Sequence, residues 1–289
     1  MRGALVITAI VVATFLIPIS RGLAEGISLA RIPHIYEITI DPAAPDHLLL
    51  ATPKGLYRLT PDIRMLPLLD GSHDITGLVV SDNGKHLLVS GKKNRKPFGI
   101  LLSGDGGKSW QAHTDDKAEL PAYRLLKISG PDGRLLAVGK NLMQSRDAGK
   151  VWTNAGAMPA ASLGLAASRK SADKLLAATA KGLKSSIDGG KSWQATGVGP
   201  SGKPASMVAM NKQDRAWTFV VGAGLYVGQD VFADGKGKWR KLAEAKRFDG
   251  ALIHLTSHKS RPGHLIAVTQ YMKVLQSRDG GLSWAPFAK

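Results

Sequence analysis

Short apolar segments of four to seven residues recur along the chain and are separated by turns rich in Gly, Asp, Pro and Asn. The clearest of them form a strand–turn–strand unit that occurs six times, at 47–59, 86–103, 134–145, 174–186, 217–228 and 264–277. A further short apolar run precedes each unit, and another extended stretch follows it. Because no helical period is sustained, the pattern predicts six repeats of four strands each.

A second motif, S-x-D-x-G-x-x-W, recurs downstream of these units, and we call it the Asp–Trp motif. Four copies align without gaps, at 103–110, 145–152, 186–193 and 277–284, and a degenerate copy at 233–239 keeps its Asp and its Trp. The residues that define the five copies are Asp105, Trp110, Asp147, Trp152, Asp188, Trp193, Asp234, Trp239, Asp279 and Trp284. The tryptophans follow one another at intervals of 42, 41, 46 and 45 residues, a period typical of propellers and solenoids.

The number of repeats and their strand content predict the fold. Four antiparallel strands in each of six units are typical of a β-propeller, an all-β fold in which each unit forms one blade. Residues 25–289, divided by six, give about 44 residues per unit, which is a normal blade length. We therefore predict a single domain over residues 25–289, a six-bladed β-propeller of four-stranded antiparallel blades.

The Asp–Trp motif resembles the Asp-box, or bacterial neuraminidase-type, repeat of known propellers, and four of its copies match well. The resemblance implies that each copy forms the hairpin between the third and fourth strands of a blade. In such a turn the Asp carboxylate accepts backbone N–H bonds, the Gly allows a positive φ, and the Trp packs between neighbouring blades. Calcium needs six to eight oxygen ligands, whereas each motif has one carboxylate, so we predict a structural role.

The first 24 residues are predicted to direct export. Arg2 supplies a positive charge, residues 4–19 form an apolar run of 16 residues, and Gly22-Leu23-Ala24 offers small residues for cleavage. The alternative is an uncleaved membrane anchor, for which 16 residues are short, since a spanning helix needs about 20. We expect a signal peptide at 1–24, a mature chain that begins at Glu25, and a periplasmic or extracellular location.

Basic residues exceed acidic ones: Lys and Arg number 39, Asp and Glu number 22, and the formal net charge is +17. One basic cluster, expected in a loop of the second blade, consists of Lys92, Lys93, Arg95 and Lys96. A second cluster, in the fifth blade, consists of Lys236, Lys238, Arg240, Lys241, Lys246 and Arg247. Such charge attracts an acidic protein, an anionic glycan or an anionic membrane face, or it is an ordinary basic surface. Export argues against nucleic acid, and the lack of Cys excludes disulfides, thiolate metal sites and cysteine nucleophiles.

Ligands of propellers usually bind where the loops that enter the innermost strands converge on the axis. The polar residues of those loops form a predicted ligand face, which consists of Arg31, His34, Asp74, Tyr123, Arg124 and Asp249. The corresponding loops of the fourth and fifth blades offer only small neutral residues, such as Ala161 and Pro204. Neither a metal site nor a cofactor is predicted, because the eight histidines are scattered and no phosphate-binding loop precedes a helix.

Two classes of function fit these features. The exported propellers that the chain resembles, the photosystem II stability and assembly factor family and the sortilin-type propellers, bind proteins, and the resemblance implies a non-enzymatic scaffold. The alternative is a glycan-active enzyme of sialidase type, because Arg31-Ile32-Pro33 resembles the Arg-Ile-Pro motif of sialidases. Arg124 would then be a second arginine for the substrate carboxylate, and Asp74 and Asp249 would be acid and base. No Glu follows Glu244 to pair with Tyr271 as a nucleophile, so the scaffold hypothesis is favoured.

Overall fold

The structure is a computed structural model, and it describes residues 32–113, 124–127, 134–139, 141–233, 237–261 and 263–288. The predicted signal peptide lies outside these residues, as do Arg31, Tyr123, Asp234 and Lys236. Nowhere in the described part of the chain does a helix have both the length and the apolar character that a bilayer span requires.

The described strands form six antiparallel sheets, and each sheet contains four strands that are consecutive in the chain. Blades 1 and 2 consist of β1 (Glu37–Ile40), β2 (Leu48–Thr52), β3 (Gly55–Leu59), β4 (Met65–Leu69), β5 (His73–Val80), β6 (Leu87–Lys93), β7 (Lys96–Ser103) and β8 (Gln111–Ala112). Blades 3 and 4 consist of β9 (Arg124–Lys127), β10 (Leu135–Val138), β11 (Leu142–Ser145), β12 (Thr153–Gly156), β13 (Ser162–Ala167), β14 (Leu175–Thr179), β15 (Gly182–Ser186) and β16 (Gln194–Ala195). Blades 5 and 6 consist of β17 (Ala205–Met210), β18 (Ala216–Val220), β19 (Gly224–Gln229), β20 (Lys238–Glu244), β21 (Leu252–Ser257), β22 (Leu265–Thr269), β23 (Val274–Ser277) and β24 (Ala285–Pro286).

These blades close into a ring, which confirms the predicted six-bladed β-propeller. The first strand of each blade lies nearest the axis and contacts the first strands of both neighbouring blades, including β1 against β21. Four of the second strands, β2, β14, β18 and β22, are buried along their whole length, because blades on both sides cover them. The fourth strands β8, β16 and β24 have only two residues each, fewer than predicted.

The two ends of the ring are defined by the direction of the first strands. At the upper face the first strands begin, and the turns between second and third strands lie there too, since successive strands are antiparallel. At the lower face the first strands end, and the turns between the third and fourth strands lie there as well.

Buried side chains gather in six clusters, and each cluster combines residues of two neighbouring blades. Between blades 1 and 6, for example, Ile38 and Leu48 of blade 1 pack with Ile266 and Val268 of blade 6. Among the described strands, none joins the sheet of another blade, so this cluster closes the ring through side chains. The apolar area that stabilises the fold is therefore removed from water mainly between blades.

The well-matched Asp–Trp motifs form turns between the third and fourth strands, on the lower face. In each turn a Ser hydroxyl donates to the Asp carboxylate and accepts the backbone N–H of the Gly four residues later; these are Ser103, Ser145, Ser186 and Ser277. In the first copy, Asp105 Oδ1 also accepts the backbone N–H groups of Lys108 and Ser109, both at 2.9 Å. Such hydrogen bonds favour the ionised carboxylates and hold their pKa below the usual range; they are Asp105, Asp147, Asp188 and Asp279.

The tryptophans of these turns pack into the clusters between blades. Trp110 Nε1 donates to the carbonyl of Leu68 in the preceding blade at 2.9 Å, and Trp193 Nε1 donates to the carbonyl of Ala157 at 2.8 Å. The indoles of the other two copies donate within their own turns; these are Trp152 and Trp284. Trp239 of the degenerate copy instead lies inside β20 and packs between blades 4 and 5.

We expect Trp193→Ala to lower the free energy of unfolding by about 2–4 kcal/mol, because it removes a half-buried ring and an N–H bond between blades 3 and 4. Ile187 lies in the same turn with 57% of its surface exposed, so Ile187→Ala should change that free energy by less than about 0.5 kcal/mol. Urea unfolding followed by far-UV circular dichroism measures both. Equal unfolding midpoints would contradict a stabilising role for the ring.

Candidate functional site

The six first strands surround a cavity of about 210 Å³ on the propeller axis. Part of its wall is apolar, with Leu78, Leu165 and Leu255 among the lining side chains. Polar and charged residues line it where the first strands end, so the cavity opens toward the lower face. The predicted ligand face belongs to the upper end, so this cavity opens at the opposite end of the axis, although Arg124 of the predicted face is among its lining residues.

An ion pair lies inside this cavity and joins blades 1 and 3. Arg124 Nε is 2.8 Å from Glu37 Oε2. The exposed fraction is 23% for the Arg124 side chain and 17% for the Glu37 side chain. Burial raises the pKa of Glu37, and the Arg124 guanidinium acts in the opposite direction. Arg124 was predicted to face a ligand, but it forms an ion pair with Glu37. Glu37 was not among the residues predicted from the sequence.

His254 lies near this ion pair, deep in the ring. Its Nε2 is 2.7 Å from the carbonyl oxygen of Ile35, so Nε2 carries the proton and donates it. Burial and the nearby Arg124 charge lower the pKa of His254 to about 3, and the imidazole is neutral at physiological pH. His258, four residues later, lies beyond β21 and stacks on His264 at 5.7 Å. Within the described residues, no three potential metal ligands come together.

On the upper face, two predicted ligand residues meet around a third side chain, Tyr36. The exposed His34 ring contacts Tyr36 edge-on, with centroids 4.9 Å apart. Burial raises the pKa of the Tyr36 phenol, and the negative charge of Asp74 raises it further. Asp249 lies elsewhere on this face, in an ion pair with Lys273 of blade 6. His34 and Asp74 thus both lie beside Tyr36, whereas Asp249 is paired with Lys273 and Arg124 with Glu37.

The first basic cluster is a strand-paired hairpin and not the loop that we expected. Lys92 and Lys93 belong to β6 and Lys96 to β7, and only Asn94 and Arg95 form the turn. Both turn residues have positive φ, 52° and 66°, as a two-residue type I′ hairpin turn requires. We call residues 92–96 the basic hairpin.

The register of the basic hairpin places one of its charges beside a carboxylate. Lys92 lies directly opposite Asp74 in the ladder between β5 and β6, where opposite charges attract. The side chains of Lys93, Arg95 and Lys96 are exposed on the upper face. The hairpin therefore presents at least three cations to solvent.

The second basic cluster lies on the outer strand of blade 5. Lys238, Arg240 and Lys241 belong to β20, where Lys241 Nζ is 3.2 Å from the Glu244 carboxylate. The cluster ends in the 3-10 turn Ala245–Arg247. Its cations are thus spread along an edge strand, in contrast to the compact basic hairpin.

Four charged residues at the lower mouth of the cavity were missed by the sequence reading. Asp82 of blade 2 lies 3.0 Å from Lys212 Nζ, 2.9 Å from Lys259 Nζ and 3.8 Å from Arg169 Nη2. These cations belong to blades 5, 6 and 4. We call the four residues the mouth cluster. The signal that could have revealed it is position, since each residue follows the first apolar run of its repeat at the same distance.

Comparison with known proteins supports the fold alone. No known protein-family profile and no curated protein match the sequence. The GH74 enzyme of Niastella koreensis matches with a TM-score of 0.64 and 14% identity over 91% of this chain and 46% of that one, so the chain spans about half its length. YCF48 bound to D1 peptide matches with a TM-score of 0.56 and 18% identity, covering 91% and 83% of the two chains. A chain of the nidogen/laminin complex matches with a TM-score of 0.56 and 11% identity, covering 80% and 88%.

We expect Arg124→Met to lower the free energy of unfolding by about 2–3 kcal/mol, because it leaves Glu37 largely buried without its cation. The double variant Glu37→Leu/Arg124→Met removes both charges and should recover most of this loss. Thermal unfolding of the two variants and the wild type measures the effect. A double variant as unstable as the single one would contradict a paired role.

The pKa of His254 predicts a pH-dependent stability. The folded protein protonates His254 near pH 3, whereas the unfolded chain does so near 6.5, so the unfolded state binds more protons between these values. Stability should therefore fall as the pH drops through this window, by up to about 1.4 kcal/mol per pH unit for this one group. His254→Gln should flatten the profile of unfolding free energy between about pH 6 and pH 4. Parallel profiles for variant and wild type would contradict this assignment.

Proposed function

We propose that the protein is an exported, non-enzymatic propeller that binds a protein partner or assembly through its upper face. The observation that carries the proposal is the basic hairpin, residues 92–96. Export rests on the signal-peptide pattern of residues 1–24. The hydrogen-bonded turns of the Asp–Trp motifs support their relation to Asp-box repeats.

The basic hairpin extends beyond its counterparts in the ring. Its strands have seven and eight residues, whereas the second and third strands of the other five blades have four to six. Two additional residues per strand extend a hairpin by about 7 Å. The ladder pairs Lys93 with Lys96, so the tip is already ordered and little conformational entropy is lost on binding.

The charge of the hairpin favours an acidic protein surface as its partner. Lys93, Arg95 and Lys96 form no ion pair with any acidic residue that the structure describes. Three cations within four residues repel one another, and an acidic surface removes that repulsion on contact. Their field also speeds the encounter of oppositely charged partners, because it acts before contact over about one Debye length, roughly 8 Å at physiological salt.

The similar structures include propellers that meet a peptide or a protein. YCF48 is seen with D1 peptide, and nidogen is seen with laminin. The GH74 enzyme shows that the same fold also carries catalysis, so the fold is compatible with both classes of function. The choice between them therefore rests on the charged residues of this chain.

The arrangement of the carboxylates favours a scaffold over a glycoside hydrolase. A hydrolase of the usual kind needs two carboxyl groups that flank one bond. Asp74 lies at the start of blade 2 and Asp249 at the start of blade 6, so that blade 1 separates them. Asp74 is opposite Lys92 in its ladder, and Asp249 forms an ion pair with Lys273. Arg124, the arginine proposed for substrate, is held by Glu37.

The test removes the same charge from two surfaces. Lys93→Gln/Arg95→Gln/Lys96→Gln neutralises the basic hairpin, and Lys238→Gln/Arg240→Gln/Lys241→Gln neutralises β20 as a matched control. Each variant is immobilised and exposed to the exported proteins of the source organism, and the captured proteins are quantified. We expect the hairpin variant to capture its partner about tenfold less at low salt, with a smaller difference above physiological salt, while the control resembles the wild type.

Three results would overturn the proposal. Equal loss in both triple variants would show that net charge alone causes retention. Retention by heparin or by vesicles of anionic lipid, without capture of any protein, would indicate a glycan or membrane partner. Hydrolysis of an aryl glycoside or a sialoside by the wild type, lost in Asp74→Asn, would establish the enzyme.

A further inference from the structure

One position of the repeat holds the loop between the first and second strands, and we call it the loop cap. It is the residue directly after the first strand, and its backbone N–H donates across the loop at 2.9–3.0 Å. Its side chain also accepts one or two backbone N–H groups of the same loop, which fixes a short segment that has no sheet partner. In blades 1, 2, 4, 5 and 6 the loop cap is Asp41, Ser81, Ser168, Asn211 and His258.

Blade 6 differs from the other four because its loop cap is an imidazole. His258 Nδ1 accepts the backbone N–H of Ser260 at 3.0 Å and that of Arg261 at 2.9 Å. A ring nitrogen accepts only while it carries no proton, so both bonds require the neutral ring with its proton on Nε2. The other four caps accept through oxygen atoms. Among the loop caps that the structure describes, His258 is therefore the one that titrates between about pH 5 and 8.

His264 lies against this ring and takes up a proton less readily. The two imidazoles stack with their planes at 15°. His264 Nε2 is buried and has no hydrogen-bond partner among the described residues. The imidazolium form of His264 would leave a buried N–H of a charged ring without an acceptor, whereas His258 is only half-buried. The proton that reaches this loop should therefore bind to His258.

The charged groups that face the two rings come from three elements. They are Arg261 of the same loop, Arg278 of the turn after β23, and Asp46 of the loop after β1 in blade 1. Burial lowers the pKa of His258, the Arg261 charge lowers it further, and Asp46 acts in the opposite direction. In an open loop the pKa of His258 would return to about 6.5. The open loop thus binds more protons below that value, and the closed loop loses stability as the pH falls through it.

The same loop contacts two other blades. Lys259 Nζ lies 2.9 Å from Asp82 Oδ1 and 3.3 Å from the Ser81 carbonyl oxygen, both in blade 2 at the mouth of the cavity. Arg261 Nη1 lies 3.4 Å from Asp46 Oδ1 in blade 1. Lys259 directly follows the loop cap, and Arg261 donates its backbone N–H to it. Both contacts therefore depend on a backbone that the neutral ring holds in place.

We propose that His258 is a pH-sensitive switch of the lower face. Above about pH 6.5 the neutral ring keeps residues 258–264 closed, with Lys259 at the mouth of the cavity and Arg261 across the boundary to blade 1. Protonation of Nδ1 removes both accepted bonds and makes the new N–H face two other donors. The loop then opens and releases its contacts with blades 1 and 2 together, whereas the loops capped by Ser168 and Asn211 stay closed.

The test measures amide hydrogen exchange by NMR at about pH 7.5 and about pH 5.5, with each rate divided by the intrinsic rate at that pH. The amides of Ser260 and Arg261 should lose protection by about threefold or more at the lower pH. The loop of blade 4 is the internal control, because Ser168 and His258 both donate to the carbonyl six residues later. The amides of Lys170 and Ser171 donate to Ser168 Oγ, and their protection should change only as far as global stability does.

Two substitutions separate the proton from the hydrogen bonds. His258→Ser copies the cap of blade 4, which accepts the N–H groups two and three residues later, as His258 does. This variant should show the same loop protection at both pH values. His258→Ala has no acceptor and should leave the loop unprotected at both. Circular dichroism spectra and a blade 4 loop that match the wild type confirm that each variant is folded.

Three results would overturn the switch. The wild-type loop of blade 6 could keep its full protection at the lower pH, relative to the loop of blade 4. His258→Ser could lose protection on acidification as the wild type does, which would assign the effect to another group. His258→Ala could match the wild type at the higher pH, which would show that the imidazole does not hold the loop.

Discussion

Apolar side chains of each blade meet those of the next blade in a shared cluster, and every blade depends on both neighbours for its core. The second strands show the constraint most clearly: β2, β14, β18 and β22 are buried along their whole length because both of their faces are covered. A single blade would expose these faces to water, so it has little stability of its own. The turns that carry Trp110 and Trp193 add indole N–H bonds across the same boundaries.

This packing leaves the chemistry of the protein to the two ends of the axis. Apart from the cations along the edge strand β20, the charged clusters lie where strands begin or end. At the upper face the extended β6–β7 hairpin carries exposed cations, to which the proposed function assigns a protein partner. At the lower face the loops after β13, β17 and β21 carry cations that line the axial cavity. The basic hairpin and the mouth cluster thus lie at opposite ends of the axis, and the second basic cluster lies on the outer strand of blade 5.

The sequence predicted the features that repeat locally, and it missed those that depend on closing the ring. The six strand–turn–strand units predicted the number of blades. The S-x-D-x-G-x-x-W pattern predicted the turn, because the hydrogen bonds of Asp105 or Asp188 involve only residues within a few positions. The pair of Glu37 and Arg124 joins blades 1 and 3, and Asp82 reaches Lys212 over 130 positions of sequence. No local pattern shows which of these residues pair with each other across the ring. The basic hairpin was found by composition, but its pairing required the positive φ of Asn94 and Arg95.

The boundary between blades 1 and 6 differs from the other five in how it is connected. Each of the others is crossed by the peptide chain that runs from one blade to the next, whereas in the described residues this one is held by side chains, among them those of Ile38 and Val268, and by the His254 bond to Ile35. Closure at this seam therefore depends more on side-chain packing than it does at the other five boundaries. A partner that contacts both blade 1 and blade 6 would hold this boundary closed and would therefore slow the opening of the ring.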